Sequence, residues 1–224
     1  MPEKLSYFCQ TFMDLINPQV ARYAEQFSSA EDELLKEIAD WTNKHHPEAV
    51  MLSGHLQGKL LEMISWMIRP RRILEIGTFT GYSALCLSKG LIEDGILHTI
   101  EIHKADADRA KAYFDRSLSA NKIILHRGNA LSIIPGLQEA WDLVFIDADK
   151  TGYIEYFNLV LPHLKENGFI LADNVFFHGE ALDENTRNKN AKAIRAFNEH
   201  IRERTDIEKT ILTVRDGLFL IRKL

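Results

Sequence analysis

Cysteine is scarce in this chain. Its 224 residues include two, Cys9 and Cys86, too few for the disulfide framework of a small secreted domain. Cys86 lies in the apolar run Ala84-Leu85-Cys86-Leu87 and is expected to be a packed thiol. Long apolar stretches are also missing: none approaches the roughly 20 residues that a membrane-spanning helix needs. The opening Met-Pro-Glu-Lys-Leu-Ser has no signal-peptide centre. A cytoplasmic protein with no membrane partner is the expectation. Clustered positive charge is lacking too. The chain carries 27 Lys and Arg against 32 Asp and Glu, a net charge of −5, which argues against a nucleic-acid partner, because phosphate contacts need basic clusters. The densest basic stretch, Arg69-Pro70-Arg71-Arg72, leads into an apolar run and reads as a solvated strand entrance. None of the nine histidines forms an H-x-x-x-H pair, and His45-His46, beside Pro47, reads as a solvated loop pair.

What is present is an ordinary globular balance, 46% hydrophobic and 26% charged, enough to bury one sizeable core. Residues 1–68 read as helical. Ser29-Ala-Glu-Asp-Glu is expected to begin a helix with serine as its cap, and Leu34, Leu35, Ile38 and Trp41 follow at helical spacing. A second helix is expected over 56–68, stopped by Pro70. From 71 onward short apolar runs at 72–76, 96–102, 122–126, 141–147 and 168–172 alternate with helix-compatible stretches such as 103–119 and 151–164. That alternation predicts a parallel sheet with helices on both faces. The ending differs: Ile207–Val214 and Leu218–Ile221 flank Arg215-Asp216-Gly217, a hairpin signal that predicts a final antiparallel strand. One domain over 1–224 is expected, an N-terminal helical segment (1–68) preceding the core (69–224).

The first apolar run ends in Glu75-Ile-Gly77-Thr-Phe-Thr-Gly81. A nicotinamide fingerprint needs G-x-G-x-x-G. Aligned on Gly77, its second and third positions hold Phe79 and Tyr82, so a close pyrophosphate approach is disfavoured, and a nicotinamide oxidoreductase with it. A plain strand-to-helix turn stays open. Glu101 ends the second run, 24 residues after Gly77, where an acid accepts ribose hydroxyls; a solvated strand-end acid is the alternative. Together they favour a nucleoside ligand without a pyrophosphate. Asn129-Ala130-Leu131 follows the third run. The fourth ends in Asp147-Ala-Asp149-Lys150 and the fifth in Asp173-Asn174. If these strands are neighbours, Asp147, Asp173 and Asn174 converge as hard oxygen ligands suited to Mg²⁺, Mn²⁺ or Ca²⁺ and not to structural zinc.

Three motifs in order, Glu75-Ile-Gly-Thr-Phe-Thr-Gly-Tyr-Ser83, Phe145-Ile-Asp-Ala-Asp-Lys150 and Ala172-Asp-Asn174, resemble those of the cation-dependent O-methyltransferases, the caffeoyl-CoA and catechol O-methyltransferase group that uses S-adenosylmethionine. The likeness runs from about Met51 to the C-terminus and includes Asp216-Gly217-Leu218. His55-Leu56 departs from the acidic pair or Pro-Glu that members often carry. The resemblance implies the class I methyltransferase fold, a seven-stranded α/β sheet with an antiparallel last strand. It implies that Glu75, Gly77, Thr78 and Ser83 line the methionine end of the cofactor, with Asp147 beside them. Glu101 would hold the ribose, Ala130 would lie beside the adenine, and Ser53 would touch the cofactor from the preceding segment. Asp147, Asp173 and Asn174 match the metal ligands, with Mg²⁺ the favoured ion, and Lys150 the catalytic base. A homodimer is implied as well.

Such a site would methylate a hydroxyl of a small vicinal aromatic diol, with S-adenosylmethionine as donor. Two adjacent phenol oxygens can chelate a divalent cation that stabilises the phenolate. Lys150 could take the proton if held neutral; a salt bridge to Asp147 or Asp149 is its structural alternative. The polar stretch 175–190 is expected to form part of the acceptor pocket, with Phe176 or Phe177 against the ring, although either could instead be core. A methyltransferase acting on another acceptor, or on nucleic acid, and a non-catalytic binder of the same cofactor are the competing readings.

Overall fold

The computed structural model describes residues 15–224; Cys9 and the first part of the expected N-terminal helical segment lie outside them. Three helices lead: α1 (Pro18–Gln26), α2 (Glu33–His45) and α3 (Gly54–Ile68). Then β1 (Arg72–Ile76), α4 (Tyr82–Ser88), β2 (Ile96–Glu101), α5 (Lys104–Phe114), β3 (Ile123–Arg127), α6 (Ala130–Ile133), β4 (Trp141–Ile146), α7 (Tyr153–Val160), β5 (Leu164–Asp173), α8 (Lys189–Glu203), β6 (Ile207–Leu212) and β7 (Leu218–Lys223) follow. The α/β alternation and the closing hairpin are as the sequence predicts.

Two boundaries differ. Asp32, not Ser29, caps α2, its side chain accepting from the Leu35 N–H at 2.9 Å. Either residue type can cap, but the Ser29 carbonyl is taken by the His55 ring at 2.7 Å, a long-range contact with no local signature. The stretch expected to be helical over 151–164 is the eight-residue α7 between two 3₁₀ turns, Lys150–Gly152 and Leu161–His163.

The seven strands form one sheet in the order β3-β2-β1-β4-β5-β7-β6. The pairs among β1 to β5 are parallel, and β7 runs antiparallel to both β5 and β6. Side chains alternate between two cores, as the two-residue period of a strand requires. Leu74, Ile76, Val144, Ile146, Ile170 and Ala172 pack with α7 and α8. Ile73, Leu143, Phe145 and Leu171 pack on the other face with α2, α3, α4 and α5. Burying one such side chain completely contributes about 1.5–3 kcal/mol, and most of these central-strand residues have no exposed surface.

Cys86 is packed in the second core, and burial pushes its thiol above the ordinary value. No helix among the described residues is long and apolar enough to cross a membrane. The basic stretch before β1 is a solvated entrance tied by acids: the Arg71 and Arg72 N–H groups both donate to Asp142 Oδ2, at 2.9 and 2.8 Å.

The order places β1 between β2 and β4, so the chain leaves β1 in one direction along the sheet and later returns to its other side. A crevice opens beyond the carboxyl ends of the strands at such a reversal. The motifs that end β1, β2, β4 and β5, and the Asn129-Ala130 stretch after β3, lie at that edge.

Candidate active site

A cavity of about 840 Å³ occupies this edge. Of the residues selected from sequence, Ser53, Gly77, Thr78, Ser83, Glu101, Ala130, Asp147, Lys150, Asp173 and Asn174 line it. Glu75 does not. It is fully buried beneath the loop, where Thr99 donates to Oε2 while Oε1 has no hydrogen-bond partner, and burial pushes its carboxyl up to about 8.

Gly77 begins the turn after β1 with φ +101°, and a Cβ there would lie 1.9 Å from the Asp147 carbonyl oxygen. The loop can therefore lie flat against β4 only without a side chain at this position. The Gly77 N–H donates to the Ile100 carbonyl at 3.0 Å, and the Asp147 N–H to the Ile76 carbonyl at 2.9 Å, which extends the ladder to the cavity floor. Glu101 is held from two sides: Oε2 accepts from the Phe79 N–H at 2.7 Å and Oε1 from the His103 N–H at 2.8 Å. Its carboxylate is fixed and still offers lone pairs to a diol such as a ribose. Ala130 opens α6, capped by Asn129, which accepts from the Leu131 N–H at 2.8 Å.

One assignment beside this region fails. His46 is not solvated; its ring lies edge-on to Phe79 and its Nε2 is 3.1 Å from Asp106 Oδ1. The partner is 60 residues away, beyond what a local reading of His45-His46-Pro47 can reach.

The ends of β4 and β5 are paired in register, Ile146 beside Ala172, so the residues that follow, Asp147 and Asp173, emerge together. Lys150 Nζ donates to Asp147 Oδ1 at 3.0 Å, to Asn174 Oδ1 at 2.9 Å and to the Tyr153 hydroxyl at 2.8 Å. Burial presses this ammonium toward a lower value, but Tyr153, Asp147 and Asp173 outweigh it and hold Lys150 above the ordinary lysine range. Asp173 is 2% exposed. Its Oδ2 accepts from Gln57 Nε2 at 2.7 Å, and its Oδ1 has no partner. Burial first, and the Asp147 charge second, push the Asp173 carboxyl up to about 7.

These residues fit a divalent cation. Asp147, Asp173 and Asn174 supply hard oxygens, and a buried carboxylate oxygen without a donor is costly unless a cation takes it. Among the described residues no three His, Cys, Asp or Glu side chains cluster to hold a metal. A cation here would lean on the Asn174 amide oxygen and complete its shell with water or substrate oxygens.

The loop after β5 closes the far side. Asn174, Phe177 and His178 have φ of +57°, +47° and +55°, conformations that cost a non-glycine residue roughly 1 kcal/mol or more each. Asp216 ties them down: its Oδ1 accepts from the His178 N–H at 2.7 Å and its backbone carbonyl from the Phe176 N–H at 3.0 Å. Phe177 lines the cavity, while Phe176 packs against Gly217. Tyr153, Tyr156, Gln57 and Arg215 also belong to this region and were not read from sequence. Tyr153 and Tyr156 look like ordinary core residues of a helix, and Gln57 carries no motif of its own.

Comparison with known proteins agrees with this geometry. An O-methyltransferase family model matches residues 25–224. A catechol O-methyltransferase of Niastella koreensis is 32% identical over 197 residues, 86% of this chain and 89% of that protein. A probable caffeoyl-CoA O-methyltransferase of Dictyostelium discoideum is 28% identical over 214 residues, 93% of each chain. Among solved structures, the O-methyltransferase TomG from Streptomyces achromogenes, in complex with S-adenosylmethionine, superposes with a TM-score of 0.84 at 31% identity, covering 92% of this chain and 96% of that one. An S-adenosylhomocysteine-bound methyltransferase of Podospora anserina superposes with a TM-score of 0.86 at 28% identity over the whole of both chains. The chain belongs to the O-methyltransferase family and is an S-adenosylmethionine-dependent O-methyltransferase.

Proposed function

We propose that this methyltransferase acts on one hydroxyl of a small vicinal aromatic diol, of catechol or caffeoyl type, with a divalent cation held by Asp147, Asp173 and Asn174. The observation that carries this reading is the buried Asp173 Oδ1, left without a donor among converging oxygen ligands at the cavity wall. The cation, Mg²⁺ before Mn²⁺ or Ca²⁺, would supply Lewis-acid stabilisation of a phenolate.

The residues of the chain have distinct tasks in this reading. Gly77 lets the cofactor lie low against β4, and Thr78, Ser83 and Ser53 surround its methionine end, with Glu75 behind them. Glu101 holds the ribose hydroxyls, and Ala130 faces the adenine. Held by these residues, the cofactor would present its sulfonium methyl toward the ends of β4 and β5, and such alignment supplies much of the rate in a displacement. Lys150 is the group placed to accept the proton of the attacking hydroxyl. Two of the groups that hold its proton in place, Asp147 and Asp173, are the charges a cation would neutralise. Phe177 offers a face to the aromatic ring. The experiment is methyl transfer from S-adenosylmethionine to a catechol and a caffeoyl thioester, with Mg²⁺ or with excess EDTA. Transfer that requires the cation is expected; EDTA-insensitive transfer would refute the metal role.

Dimerisation belongs to the same reading. Val20 and Tyr23 of α1, Phe27 at its C-terminal cap, and Met63, Trp66 and Met67 of α3 are between 46 and 74% exposed, and the two helices touch each other. Exposed apolar surface of this kind marks an interface, and a second copy of the chain is the occupant proposed. Sedimentation at micromolar concentration should give the mass of two chains; a monomer would refute it.

A further inference from the structure

We infer that Gln57 is a positioning residue that sets the geometry of Asp173 for the cation, and that Arg215 locks Gln57 in the orientation this requires. The inference rests on the cation reading above and concerns residues outside the ligand set. Gln57 lies in the first turns of α3, 116 residues from Asp173 in sequence, and is 1% exposed. Its Nε2 donates to Asp173 Oδ2 at 2.7 Å. A carboxylate with one oxygen engaged and the other free is fixed in rotation. The free oxygen, Oδ1, is then available as a single, oriented ligand atom. A donor serving only to satisfy a buried charge has no reason to leave Oδ1 bare. Partners that hold a ligating carboxylate typically matter for metal affinity as well as for packing.

The amide must face the right way for this to work, since its oxygen toward Asp173 would set two acceptors against each other. The other end of the amide supplies the constraint. Arg215 Nη1 is 3.4 Å from Gln57 Oε1, and the same nitrogen donates to the Leu52 carbonyl at 2.9 Å and to the Ser53 carbonyl. A guanidinium can only donate, so it selects the oxygen of the amide and turns the NH₂ toward Asp173. Arg215 reaches this position from the β6–β7 turn with φ +46°, a backbone conformation unfavourable for arginine. The helix is held at the correct depth by the next residue, Gly58, where a Cβ would lie 2.5 Å from Tyr82 Cε1. Three elements distant in sequence, α3, the end of β5 and the β6–β7 turn, thus meet around Gln57. The Leu52-Ser53 carbonyls bound by Arg215 also border the cofactor side of the cavity, so the same guanidinium ties the segment before α3 to the cation end.

The test is Mn²⁺ binding to the purified full chain, read from the electron paramagnetic resonance signal of free Mn²⁺. It is run alongside the affinity for S-adenosylhomocysteine and the melting temperature. Gln57→Met keeps the volume and removes the donor. Its Mn²⁺ dissociation constant should rise about 10- to 100-fold, with S-adenosylhomocysteine affinity unchanged. Arg215→Leu, in an exposed turn, should give a smaller rise of the same sign and serves if Gln57→Met fails to fold. Wild-type Mn²⁺ affinity in either folded variant would overturn the inference. A wild-type protein that binds no Mn²⁺ would overturn the cation reading itself, an outcome distinct from the first.

Discussion

At the β2 end of the cavity Glu101 has both carboxylate oxygens engaged by backbone N–H groups, at 2.7 and 2.8 Å. At the β5 end Asp173 is buried with one oxygen bare and its carboxyl pushed up to about 7. The first acid is at rest in the ligand-free protein, while the second is held in an environment that disfavours its charge. The difference separates two kinds of work. In the proposed reading, a ribose at Glu101 needs a rigid acceptor. A cation is attracted most strongly by oxygens that nothing else has satisfied, and the fold carries the cost of keeping them so. Glu75 precedes both in sequence but lies between them in the sheet, since β1 stands between β2 and β4; it is buried with a bare oxygen, like Asp173.

The sharpest way to break this contrast is Asp173→Ala. If Asp173 ligates the proposed cation, its loss should lower kcat/KM by on the order of 10³, several kcal/mol of transition-state stabilisation, while the affinity for S-adenosylmethionine holds. Full activity in that variant would mean that the cation is placed wrongly.

Glu75→Gln should have a smaller effect, and on stability. Burial pushes the folded carboxyl up to about 8 from a reference of 4.5, so the ionised form is disfavoured by folding. Below pH 4.5 the group is protonated in both states and costs nothing. As pH rises through that value the unfolded chain ionises first, and stability is lost progressively up to about pH 8. At pH 7 the substitution should stabilise the ligand-free protein by roughly 2 kcal/mol, or about 5 °C in Tm, allowing for the amide's own unpaired donor. The gain should vanish at pH 4. The same change at Glu101, whose oxygens already have donors, should bring no stabilisation. Equal behaviour of the two acids in thermal melts would remove the distinction.

Much of this arrangement is legible in the sequence, for identifiable reasons. The strands of the sheet announce themselves because buried parallel strands need continuous apolar runs, and acids at their ends stand out against that background. Asp147, Lys150, Asp173 and Asn174 were found in this way. What escaped depends on distant contacts. The partner of His46 is on α5, Gln57 meets Asp173 only after the chain has run through β1 to β5, and Glu75 looks like a cavity residue until the loop closes over it. Cap choice at α2 and the breaking of the 151–164 stretch into a short helix and two tight turns are decided by packing rather than by propensity.

The central claim is that two adjacent oxygens of the acceptor share a cation beside Lys150. The most direct measurement is the rate of methyl transfer to 1,2-dihydroxybenzene against its 1,4 isomer, with saturating S-adenosylmethionine and Mg²⁺. The two acceptors carry the same phenol groups and differ in whether both can reach one ion. Transfer to the 1,2 isomer alone, abolished by EDTA, is the expected result; equal rates on the two isomers would contradict the account.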